Sequence, residues 1–129
     1  MTHKLSDWDI QYEKGLVGEN LVKDIMETIE VKTDYRWKDT KNIYIETLCY
    51  SKMTEKYEPS GLSVSKAKYY TFVLPNSKEE MLVISVPSDL LKIVVEKYGK
   101  TIECNWSPNR SKGYLIRLSD IIVFMLGRK

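Results

Sequence analysis

Between residues 12 and 26 the apolar side chains Leu16, Val17, Leu21, Val22, Ile25 and Met26 recur at spacings of three and four. That period predicts an amphipathic helix whose apolar stripe packs on a sheet. Over residues 28–34 the period changes to two: Ile29, Val31 and Thr33 share one side, while Glu30, Lys32 and Asp34 share the other. This is the pattern of a half-buried strand with one charged face. Residues 35–41 are polar and read as a loop, and residues 42–50, rich in Ile, Tyr and Thr, favour a second strand. The two strands are expected to pair as a hairpin.

The polar stretch 51–60 runs into the turn signal Pro59-Ser60-Gly61, and residues 63–68 suit a helical turn. Two strand-like segments, 69–74 and 81–86, flank the turn Pro75-Asn76-Ser77-Lys78 and predict a second hairpin. Ser88 as cap and Gly99 as stop bound a helix over residues 89–98. A strand over 113–117 and a short apolar element over 121–126, read as the last core element rather than a dimer patch, complete the chain. No repeat, low-complexity segment or linker interrupts the 129 residues. The sum predicts one α/β or α+β domain with helices around a central mixed sheet.

Composition agrees with one modest core: 43% of residues are hydrophobic and 29% charged. The longest apolar run is too short to span a bilayer and the N-terminus lacks the apolar stretch of a leader, so a cytoplasmic protein is expected. Cys49 and Cys104 are the only cysteines and are expected to be reduced. With His3 the only histidine, a zinc site or a histidine triad has almost no ligands to draw on. Gly15-Leu16-Val17-Gly18 is no phosphate-binding loop, because no strand precedes it and no Gly-Lys pair follows.

The net charge of +2 says little, and the distribution says more. Cations gather at Lys32, Arg36, Lys38 and Lys41, at Lys66 and Lys68, and at Arg110 and Lys112. Beside these clusters stand Tyr35 and Trp37, Tyr69 and Tyr70, and Trp106 and Tyr114. Such pairing of cations with aromatics suits phosphate contact and base stacking, and equally suits ordinary solvated turns. Hydrolysis of a phosphodiester with a divalent metal needs hard oxygen ligands and a cation to offset developing charge. Glu30, Lys32 and Asp34 on one strand face and Glu46 on the next strand supply both kinds of group. By composition alone, the same residues read as a charged, solvent-facing strand with cross-strand ion pairs.

Gly18-Glu19, Glu30-Val31-Lys32-Thr33-Asp34, Asn42-Ile43-Tyr44-Ile45-Glu46 and Pro59-Ser60-Gly61-Leu62, in this order and spacing, resemble small phage proteins of the PD-(D/E)XK nuclease superfamily. These are fold relatives of Holliday junction resolvases, and the resemblance covers roughly residues 12 to 75. It implies a restriction-endonuclease-like core, magnesium or manganese as cofactor, and nucleic acid, DNA first, as substrate. It also implies a homodimer matched to a two-fold junction, and a phage or bacterial source. Asp34 and Glu46 would bind metal, the main-chain carbonyl of Thr47 would face it, and Glu19 would support the site. Arg36, Trp37, Lys38, Lys66 and Lys68 would flank it and hold the nucleic acid backbone.

The chain departs from the family pattern at the lysine expected two residues after the second carboxylate, where it has Leu48. Either Lys32 stands in from the neighbouring strand or the site is degenerate, leaving a nucleic-acid-binding or protein-interaction domain. A different assignment takes Glu30-Val31-Lys32 itself as the Glu-x-Lys motif with Asp24 ahead of it, but the helical period runs through Ile25 and Met26 and leaves no strand between them. Glu30 stays a possible ligand, because hairpin register would decide whether Glu46 lies opposite Glu30 or nearer Asp34. An unrelated α+β structural protein is the third reading.

Overall fold

The computed structural model describes residues 7–105 and 110–127, so His3 and Trp106 lie outside the described residues. Helix α1 (Asp7–Glu27) leads into β1 (Ile29–Thr33), the one-turn helix α2 (Trp37–Thr40), β2 (Asn42–Ser51) and β3 (Lys56–Pro59). A 3-10 turn at Gly61–Ser63 precedes β4 (Tyr69–Pro75) and β5 (Met81–Pro87). The chain ends with α3 (Ser88–Tyr98), β6 (Lys100–Cys104), β7 (Ser111–Arg117) and α4 (Leu118–Gly127). The fold is α+β, as expected, but in place of the one central mixed sheet that was expected its strands form two separate sheets. One is a mixed sheet in the order β1-β4-β5; the other is antiparallel in the order β3-β2-β7-β6.

The hairpin expected between the first two strands does not form. β1 pairs in parallel with β4, whereas β2 joins the other sheet between β3 and β7. The segment between them is not a tight turn but carries α2, whose Trp37 packs its ring against the core. The helix stops at Lys41, which adopts a left-handed φ of 61° and returns its N–H to the Trp37 carbonyl. Burying the indole thus carries the chain across to the second sheet instead of folding it back on β1. The hairpin of β4 and β5 does form, in register from Tyr69 opposite Pro87 to Pro75 opposite Met81.

Two strands escape the sequence pattern. β3 lies inside the stretch read as polar loop, and β6 has only Ile102 and Cys104 as apolar residues. Both are edge strands, which need little apolar side chain because only one neighbour supplies their ladder.

α3 is the hub of the core. It touches β4 and β5 of the first sheet, β7 of the second, and α4. Its buried Leu91, Val94 and Val95 join Ile43 and Ile45 from β2, Tyr70, Phe72 and Leu74 from β4, Val86 from β5, Ile116 from β7, and Leu118 and Ile121 from α4. Phe124 and Met125 also pack on this cluster, so the tail is the last core element, in helical form.

The first helix departs from its expectation. Its apolar stripe is uncovered, with Val17 70% and Leu21 53% exposed. The outer face of the first sheet is open as well at Val31, Met81 and Val83. α1 is tied at its C-terminal end, where Asp24 accepts a hydrogen bond from the Tyr69 hydroxyl and meets the Lys68 ammonium at 4.0 Å. Among the described residues, no helix is long and apolar enough to cross a membrane.

Leu91 is fully enclosed at the point where both sheets and α4 meet. Leu91→Ala should therefore lower the unfolding free energy by about 2–5 kcal/mol in urea titrations. A loss below about 1 kcal/mol would mean that the hub can collapse onto the cavity.

Candidate functional site

Asp34 stands where the two sheets approach each other. Its N–H prolongs the β1 ladder by donating to the Val73 carbonyl of β4. Its carboxylate accepts the Arg36 N–H on Oδ1 at 3.0 Å and the Tyr44 N–H on Oδ2 at 3.1 Å. The first bond closes a local turn, of the kind aspartate favours, at the start of α2. The second satisfies β2 where β3, which pairs only with Leu48 to Ser51, does not reach. One lone pair on each oxygen remains for a further partner.

Glu46 is placed by a different device. The Pro59-Ser60-Gly61 turn closes over it: the Ser60 hydroxyl donates to Glu46 Oε2 at 2.9 Å, and the Ser60 N–H donates to the Thr47 carbonyl at 2.9 Å. Gly61 has a φ of +51°, and a Cβ there would lie 2.3 Å from the Glu46 carbonyl oxygen. Only glycine lets the turn approach this closely. The register of β2 against β7 slips between Glu46 and Leu48, which makes Thr47 the extra residue of a bulge.

That bulge bears on the missing lysine. Paired residues of an antiparallel ladder point to the same side, and sides alternate along a strand. Glu46 pairs with Gly113 and Cys49 with Ser111, so Glu46 and Cys49 share a face; Leu48 pairs with Lys112 on the opposite face. Thr47, Leu48 and Lys112 accordingly line a separate groove together. Position 48 is turned away from the Glu46 carboxylate whatever residue occupies it. Lys112 does not replace the lysine either, because its ammonium sits 4.2 Å from the centre of the Tyr57 ring.

A cleft of about 660 Å³ brings the principal residues together: Lys32, Asp34 and Arg36 follow one another along the chain, Tyr44 and Glu46 come from β2, and Tyr70 comes from β4. Lys32 is half-exposed and paired with Glu30 at 3.1 Å, while Glu30 itself does not line the cleft. Glu19 lies on the exposed part of α1 and takes no part in the cleft. Thr47 lines the other groove, and its carbonyl already accepts the Ser60 N–H.

The basic residues do not form one surface. Arg36 lines the cleft and Lys38 is exposed on α2. Trp37 is not a free stacking platform, because its ring packs against the core with a buried Nε1 that makes no hydrogen bond. Lys66 and Lys68 line a different groove with Asp89 and Lys92. Arg110 lies over the rings of Tyr50 and Tyr57 and pairs with Glu103 at 3.6 Å, and Tyr114 packs against the core.

Residues not singled out for this site complete the cleft wall. The Tyr44 hydroxyl shares a 2.7 Å hydrogen bond with Ser111, with Cys104 beside them. Burial pushes the Tyr44 phenol up to about 12, an effect that Ser111 opposes and that Cys104 and Glu46 add to. In the sequence Tyr44 looks like an ordinary strand tyrosine; its only signal is the two-residue period it shares with Glu46.

Asp34 and Glu46 both line this cleft, and carboxylate oxygens are the hard donors that magnesium and manganese take. Magnesium is commonly held by one or two carboxylates, with water and phosphate oxygens completing the shell. Asp34 and Glu46 are the residues that would hold it. Among the described residues no group of three or more Asp, Glu, Cys or His side chains is gathered as a ready-made metal site. Comparison with known proteins gives no match to a family model, a curated protein or a solved structure. The likeness to PD-(D/E)XK nucleases therefore rests on the four motifs alone.

Two outcomes follow from this geometry. Gly61→Ala must accept a left-handed backbone and a collision with Glu46, so it should destabilise the fold by about 1–3 kcal/mol. Denaturant titration checks this, and an unchanged midpoint would show that the turn does not close on Glu46. For Tyr44, a pKa raised from 10.0 to about 12 means that the folded state favours the neutral phenol. Its contribution is fully present below pH 10.0 and is lost as the pH climbs towards about 12. Unfolding free energies across that window should fall less steeply in Tyr44→Phe than in the parent.

Proposed function

We propose that this chain is a magnesium- or manganese-dependent nuclease that hydrolyses phosphodiester bonds in nucleic acid, DNA in the first instance. The observation that carries the reading is the convergence of Lys32 and Asp34, from the end of β1, with Glu46, from β2 of the other sheet, on one cleft. Asp34 and Glu46 are the metal-binding pair, and a bound divalent cation supplies Lewis acidity at the phosphate and a water of lowered pKa. Lys32, free to leave a half-exposed ion pair worth under about 1 kcal/mol, offsets charge on the phosphate or orients the attacking water. Arg36, at the rim of the same wall, holds the backbone. Lys66 and Lys68 line a second groove that suits a flanking stretch of strand.

A second reading has its own support. With two carboxylates rather than a three-member cluster, and with position 48 turned away from the cleft, the same fold suits a binding domain that has lost its chemistry.

The choice of variant matters in separating them. Asp34→Ala would delete both the Arg36 and the Tyr44 main-chain bonds, confounding fold with function. Glu46→Gln is cleaner, because a glutamine carbonyl still accepts the Ser60 hydroxyl. Incubation with branched, duplex and single-stranded substrates should give cleavage that requires magnesium or manganese and stops with chelator. Glu46→Gln should lose about a hundredfold or more at unchanged stability. Binding without cleavage under every metal condition would leave the binding-domain reading in its place.

A further inference from the structure

Tyr70 is 2% exposed, yet its hydroxyl is buried without a hydrogen bond. An unpaired buried hydroxyl costs about 1–3 kcal/mol, and folded proteins rarely leave one so. Its position bears on what pairs it. Tyr70 lies directly opposite Glu30 in the parallel ladder and Phe72 opposite Lys32, so Glu30, Lys32 and Tyr70 share a face of the first sheet. Tyr70 lines the cleft with Lys32, Asp34 and Glu46. Burial raises the pKa of the phenol; the Ser65 side chain, near enough to lower it but outside hydrogen-bonding geometry, opposes this, and Glu30, Lys32 and Glu46 act on it electrostatically. A neutral hydroxyl in such a place has one proton to offer, and the Lys32 ammonium lines the same cleft.

We propose that the Tyr70 hydroxyl is a ligand-binding donor of the cleft, acting with the Lys32 ammonium on one phosphate group of a phosphodiester. A donor and a cation side by side select an anion with exposed oxygens. The carboxylates of Asp34 and Glu46 would repel that anion unless a divalent cation lies between, so the ligand is a phosphate taken up together with the metal. Entry requires Lys32 to swing off Glu30, a pairing too exposed to resist. The inference rests on the nuclease reading for the identity of the phosphate; the unpaired hydroxyl stands apart from that reading.

Tyr70→Phe removes the hydroxyl and nothing else. Inorganic phosphate, titrated by calorimetry in the presence of magnesium, should bind the variant about tenfold more weakly than the parent. The variant's unfolding midpoint should stay level or rise, because an unsatisfied group has been removed. The Lys32→Met, Tyr70→Phe double variant should lose less than the two single losses added together, as expected of groups sharing one ligand. A lowered unfolding midpoint would show that the hydroxyl is paired inside the folded chain and would overturn the proposal. Equal phosphate affinity in parent and variant, or no phosphate binding by the parent, would do the same. Cleavage by the parent, unaffected by Tyr70→Phe, would leave the nuclease reading standing while this one falls.

Discussion

The arrangement of the cleft depends on a single carboxylate shared by two main-chain N–H groups. Asp34 extends the first sheet through its own N–H and receives the second sheet through Tyr44 N–H. Hydrogen bonds to a charged acceptor are worth about 1.5–3 kcal/mol, and here one spans the gap between sheets that share no ladder. Tyr44 and Glu46, on the same side of β2, are thereby held at a fixed offset from Lys32 and Asp34. The apolar hub around α3 presses the sheets together; Asp34 sets how their polar rims align.

Glu46 is fixed from the opposite side by backbone shape rather than charge. The Thr47 bulge, the positive φ of Gly61 and the Ser60 hydrogen bonds form one unit. Without the bulge, Leu48 would turn to the Glu46 face; without Gly61, the turn could not settle on the Glu46 carbonyl. Asp34 and Glu46 thus belong to separate local structures that meet only in the folded chain.

Much of the fold could be read from periodicity where burial is one-sided. The charged face of β1, the β4–β5 hairpin and the cap and stop around α3 all follow from local pattern. Strand pairing could not be read in this way. A period of two says which side a residue faces but not which strand lies beside it, so β1 and β2 were expected together although Trp37 carries the chain to another sheet. Edge strands β3 and β6 were invisible because edges tolerate polar sequence. Of the candidate site, Lys32, Asp34 and Glu46 were legible as charges at strand spacing. Tyr44 and Ser111 were not, and Tyr70, expected as an exposed aromatic beside Lys66 and Lys68, is buried instead, because a buried hydroxyl acquires its meaning from neighbours distant in sequence.

The position of the cation follows from the same physics. A lysine two residues beyond a strand glutamate serves it only if the strand is regular, since then both side chains emerge on one face. β2 is not regular there, and a lysine at Leu48 would enter the groove beside Lys112 instead of meeting Glu46. What phosphodiester chemistry requires is an ammonium near both carboxylates, not a fixed interval in the sequence. For the proposed chemistry β1 is the suitable source, because it carries Lys32 into the cleft and runs into Asp34, which holds β2 in place. A bulged glutamate strand and a lysine borrowed from the neighbouring sheet are two parts of one arrangement, and each would be without purpose for the proposed chemistry if the other were absent.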